Sequence, residues 1–125
     1  MSEIIFKTKN AYSIYKGFLD ALYSLADKDE QQKAWIEGDY SNYTDFSEVY
    51  MRFSDFCESI LSWSELSREQ HQTLQDLYER VENFDRYLPG RKKTDKEICN
   101  DPQWHEIRKF AKAVYNDLKN VKLIP

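Results

Sequence analysis

The groups that could do chemistry in this 125-residue chain are few. There are two histidines, His71 and His105, and two cysteines, Cys57 and Cys99, and no two of the four stand at ligand spacing. A zinc site needs such donors at defined offsets, and neither His-Glu-x-x-His nor Cys-x-x-Cys occurs. A carboxylate-bridged metal centre in a helical bundle uses Glu-x-x-His on facing helices, which is also missing. Three glycines in total leave no glycine-rich phosphate loop, and there is no Gly-x-Ser-x-Gly nucleophile turn. Cys57 falls at an apolar helical spacing and reads as a small buried hydrophobe. Arg68 and His71 stand too close together for the Arg–His pair of a helical nuclease. The expectation is a protein with no catalytic residue, no metal and no cofactor.

Two charged clusters remain. The net charge of −4 is unevenly spread. Residues 20–65 hold eleven acids against three bases, whereas residues 86–125 hold ten bases against five acids. Such asymmetry makes a dipolar surface if the halves separate in space. In the acidic half, Glu37, Asp39, Tyr40, Tyr43, Asp45 and Glu48 gather where a loop meets a helix, with Asp55 further along and Trp35 just before. Tyr and Trp are frequent anchors of protein interfaces, and acids around them would steer a basic partner. These seven residues, Glu37 to Asp55, are the candidate partner-binding set. The competing reading folds Tyr40 and Tyr43 onto the core and uses the acids as helix caps, which suits Asp45. In the basic half, Arg86, Arg91, Lys92, Lys93 and Lys96 form a corner that could meet phosphates. A nucleic-acid-associated regulator using Arg91–Lys96 is therefore the alternative function. The acidic total and the lack of a basic helix face suited to reading bases favour a solvated loop instead.

The elements that must carry these residues are helical. Few breakers and a 3.6-residue apolar period run through most of the chain. Ala11, Ile14, Tyr15, Phe18, Leu22 and Leu25 form one stripe, predicting a helix over about 10–26 capped by Asn10. Residues 3–8 are expected to be an extended lead-in. A weaker helix is expected over 29–37, stopped by Gly38, followed by a loop over 38–45. Thr44 is the expected cap of a third helix whose stripe is Phe46, Val49, Tyr50, Phe53, Cys57 and Ile60. Ser67-x-x-Gln70 and Thr94-x-x-Glu97 are capping boxes. The first opens a long helix carrying Leu74, Leu77, Tyr78, Val81, Phe84 and Leu88, stopped by Pro89-Gly90, and the second opens a short turn. Asp101-Pro102 starts the last helix, with Trp104, Ile107, Ala111, Val114, Tyr115 and Leu118 inward. The predicted fold is all-α: a single domain, residues 1–125, with four main amphipathic helices and one or two short ones.

The apolar runs are too short for a transmembrane helix, and the first residues do not read as a secretory signal. Two unpaired cysteines suit a reducing cytoplasm.

The opening Met-Ser-Glu-Ile-Ile-Phe-Lys-Thr-Lys-Asn-Ala-Tyr-Ser-Ile-Tyr-Lys and the acidic Gly38–Asp45 stretch resemble the helical immunity proteins of contact-dependent growth inhibition systems. The resemblance covers overall size and character and carries no binding residue over position by position. It implies a cytoplasmic inhibitor that binds the toxic C-terminal domain of a large secreted adhesin-like protein. That partner would be a basic nuclease acting on tRNA or DNA, bound one to one, with no direct role for nucleic acid or membrane.

Overall fold

The computed structural model describes residues 3–38, 45–87 and 93–124. Their order is β1 (Ile4–Phe6), α1 (Lys9–Ala26), α2 (Lys28–Gln31, continuing as a π-helical turn over Gln32–Ile36), α3 (Phe46–Ile60), α4 (Arg68–Arg86), α5 (Asp95–Cys99), α6 (Pro102–Leu118) and β2 (Val121–Leu123). The long helices form a four-membered ring in which α1 packs on α3 and α6, and α4 packs on the same two. Helices α3 and α6 therefore stand at diagonal corners. The fold is all-α, as the periodicity predicts, apart from one small addition. The strands β1 and β2 pair in parallel, Ile4 opposite Val121 and Phe6 opposite Leu123. The lead-in is thus extended as expected, but its partner strand is new.

Local sequence explains the helix starts. The capping boxes at Ser67/Gln70 and Thr94/Glu97 are both closed, each cap side chain and its third-residue partner satisfying one another's backbone N–H. Asp101 caps α6 with Pro102 in the first turn. Two caps differ from expectation. Thr8, rather than Asn10, accepts from the Ala11 N–H at 3.2 Å. Asp45 accepts from the Glu48 N–H at 2.9 Å, and Thr44, the expected cap, lies outside the described residues. In each case the chosen side chain lies three residues before the amide it satisfies. Helix α4 ends at Arg86, so the expected stop at Pro89-Gly90 and the inward Leu88 lie outside the described residues.

The core is one cluster to which all four long helices, α5 and β1 contribute. Gly17 lets α1 approach α3, since a Cβ there would stand 2.9 Å from the Phe56 ring. Tyr15 donates across the bundle to the Leu118 carbonyl at 2.8 Å, satisfying a group left open at the end of α6.

A second polar group does more. Gln31 is fully buried. Its amide nitrogen donates to the carbonyls of Ser24 and Leu25, both at 2.9 Å, in the last turn of α1. Its oxygen accepts from Trp104 Nε1 at 3.0 Å and Arg108 Nη1 at 2.8 Å on α6. Both donors and both acceptor positions are used. Replacing Gln31 with Met keeps the volume and strands those four partners. We expect Gln31→Met to lower the unfolding free energy by about 3 kcal/mol in urea titration, since buried unsatisfied groups are costly. A change within experimental error would contradict the role assigned to the amide.

Candidate functional site

The first turn of α3 is held from inside by aromatic packing. Phe46 is buried against Trp104 (ring centroids 5.2 Å apart), Trp35 (6.1 Å) and Phe84 (6.0 Å). Its N–H also donates to Asp95 on α5 at 3.3 Å. With that turn fixed, the helical period sends Glu48, Met51, Asp55 and Glu58 outward, all exposed. Arg52 is the single base within α3. The ion pairs among the described residues join Glu30 to Lys33, Asp76 to Arg80 and Lys93 to Asp101, and include none of these acids. Met51 is 56 % exposed in the middle of them.

The sequence-predicted set divides accordingly. Glu48 and Asp55 share the outer face of α3, and Asp45 stands exposed at its start while also capping it. Glu37 is exposed at the end of the π-helical turn, where its N–H bonds the Gln32 carbonyl at 3.1 Å. Asp39, Tyr40 and Tyr43 lie outside the described residues. Trp35 is not a surface anchor. It is 4 % exposed and packs against Phe46 and Trp104. The i→i+5 bonding of the π-helical turn widens the backbone there and lets consecutive Ala34 and Trp35 both face the core. Gly38 follows with φ of +82°, a left-handed position suited to glycine.

The basic corner is only partly described, since Arg91 and Lys92 fall outside. Lys93 is already committed to the buried Asp101. That contact weakens the corner as a phosphate surface. A stronger basic surface lies at the last helix: Lys109 and Lys112 on α6 and Lys119 at its C-terminal cap are exposed with Asn116. The signal for it was the three-and-four spacing of those residues.

Among the described residues no cluster of three or more His, Cys, Asp or Glu could hold a metal. His71 Nε2 bonds the Trp63 carbonyl at 2.7 Å, a structural contact. Both cysteines are free and buried, and desolvation raises the pKa of the Cys57 thiol, with Glu82 and Glu58 adding to it. A nucleophilic thiolate is disfavoured in that setting. No described helix is long and apolar enough to cross a membrane.

One carboxylate behind the acidic face is unusual. Glu82 on α4 accepts from Tyr50 at 2.5 Å and Ser54 at 2.6 Å on α3. Desolvation pushes its pKa up, but hydrogen bonds from Ser54, Tyr50 and Tyr78 outweigh this and hold it below the ordinary value. The site is a clasp between α3 and α4, and it also fixes the register of the α3 surface.

No protein-family model, curated protein or solved structure matches the chain.

The Glu82 clasp has a definite pH signature. A carboxylate whose folded pKa is depressed stabilises the fold above its unfolded value, and that contribution is lost as pH falls through the folded value. Stability should therefore decline as pH drops below about 4.5. Glu82→Gln should remove part of that decline in urea titrations repeated across acidic pH. A slope identical to that of the unsubstituted protein would show that folding does not shift the Glu82 carboxyl, and would contradict the clasp.

Proposed function

We propose that this protein is an immunity protein that binds and neutralises a basic toxin domain, using the outer face of α3. The observation that carries the reading is the row Glu48, Met51, Asp55 and Glu58: exposed acids without an ion-pair partner among the described residues, surrounding an exposed thioether. An excess of acids on a helix creates a field that accelerates encounter with a basic surface and orients it. Met51 supplies an adaptable apolar contact at the centre, where desolvated side chains contribute most to affinity. A nuclease must hold phosphates, so its substrate cleft is positive and presents the matching surface. The resemblance of the opening residues and the Gly38–Asp45 stretch to the immunity proteins of contact-dependent growth inhibition supports the same partner. The toxin would be the C-terminal domain of a large secreted protein, with a tRNA nuclease favoured. Binding would occur one to one in the cytoplasm of the producing cell.

The test is binding to the toxin domain encoded beside this chain. Glu48→Lys combined with Asp55→Lys should weaken affinity about 100-fold, mostly through a slower on-rate, and raised salt should slow the unsubstituted protein in the same way. Both positions are exposed, so the fold should hold, with the melting temperature lowered only slightly because Glu48 lies in the first turn of α3. Unchanged affinity would move the interface elsewhere. Failure of the unsubstituted chain to protect cells producing that domain would remove the immunity reading altogether.

A further inference from the structure

At the corner diagonal to the acidic face, α6 meets the end of α1 and the start of α2 across a cleft of about 560 Å³. That size lies within the range of small-molecule sites. Three features of its lining point to one kind of ligand.

The first is Arg108. Its side chain is buried, at 3 % exposure for the residue, yet it lines the cleft. Its guanidinium bonds Gln31 Oε1 at 2.8 Å, the Cys99 carbonyl at 3.4 Å and His105 Nδ1 at 3.5 Å. None of these partners is a carboxylate, and no carboxylate among the described residues lies within ion-pair distance. A buried cation without a counter-charge is costly, and an anion in the adjoining cleft would offset that cost. The second feature is the rim. Lys28, Lys109, Lys112 and Lys119 join Arg108 against Asp27 and Asp29, five bases to two acids in a chain whose net charge is −4. Asp27 is occupied with the N–H groups of Asp29 and Glu30 at the start of α2. The third is aromatic. Tyr23 and Tyr115 meet edge to face with centroids 5.5 Å apart, and Tyr23 is 48 % exposed. An exposed tyrosine ring beside lysines can stack a base next to its phosphates.

We propose that this cleft binds a nucleotide, with its phosphates at Lys109 and Lys112 in front of Arg108 and its base against Tyr23. A bare phosphate would leave the tyrosine pair unused. A long nucleic acid would meet the repulsion of the acidic remainder of the chain, and the cleft accommodates a compact ligand. The site is independent of the α3 surface and of the toxin-binding function.

The test is calorimetric titration of the full chain at low salt with ATP, GTP, inorganic pyrophosphate and a single-stranded oligonucleotide. Saturable binding of ATP or GTP is expected, with pyrophosphate about tenfold weaker because stacking is lost. Lys109→Glu with Lys112→Glu should weaken the nucleotide at least about tenfold, with an unchanged circular dichroism spectrum. Lys109→Gln with Lys112→Gln, which only removes charge, should weaken it in the same direction, and Tyr23→Ala should weaken the nucleotide but not pyrophosphate. No saturable binding of either nucleotide at about 1 mM would overturn the proposal. Equal binding of pyrophosphate, indifferent to Tyr23→Ala, would overturn it in favour of a bare-anion site. An oligonucleotide bound more tightly than ATP would replace it with an extended nucleic-acid surface. Affinity unchanged in both lysine variants would exclude the cleft.

Discussion

The side-chain amide of Gln31 stands where three helices meet, and its four hydrogen bonds set how they meet. On one side it satisfies carbonyls at the end of α1, which a helix terminus leaves without intrahelical partners. On the other it takes the indole N–H of Trp104 and one arm of the Arg108 guanidinium. In a low-dielectric interior a fully satisfied polar group specifies one arrangement, because any slip leaves a donor or acceptor bare. Both surfaces of interest depend on that arrangement. Trp104 presses on Phe46, which fixes the first turn of α3 and so aims Glu48, Met51 and Asp55 outward. Arg108 is held at the wall of the basic cleft. One amide therefore links the placement of the acidic face to that of the basic one.

The bundle geometry turns an uneven sequence into a polar molecule. Because α3 and α6 each pack on α1 and α4, they occupy opposite corners of the ring. The acids of α3 and the bases of α6 are thereby kept apart instead of neutralising each other. Small frame elements maintain this separation. The Glu82 clasp binds α3 to α4, the Tyr15–Leu118 bond holds α1 to α6, and the β1–β2 pair ties the two ends of the described chain. A rigid frame with an acidic excess on one face and a basic excess on another suits association steered by electrostatics.

Most of the fold was legible because its signals are local. Ser67 with Gln70, Thr94 with Glu97 and Asp101 with Pro102 each announce a helix within four residues, and the apolar stripes need only a few turns to declare their period. What escaped was long-range. The β1–β2 pairing joins two three-residue segments from the two ends of the chain, and neither has enough alternation to read as a strand alone. Gln31 looks like a surface residue of a weak helix until α1 and α6 close over it. Trp35 was misplaced for a related reason: the π-helical turn shifts the helical phase that would have shown it pointing inward. On the candidate surface, outward positions of Glu48 and Asp55 followed from spacing. The lysines at the end of the chain share a face through their three-and-four spacing, but nothing local marks that face as distinct from an ordinary solvated one.

The central proposal is that the α3 face receives a basic toxin domain. Its most direct test is an NMR titration of the isotope-labelled chain with the C-terminal domain of the secreted protein proposed as its partner. The account predicts shifted or broadened amide signals concentrated at Ser47, Glu48, Met51, Asp55 and Glu58, with Lys109, Lys112 and Lys119 undisturbed. Perturbations confined to the α6 lysines, or no perturbation at all, would contradict it.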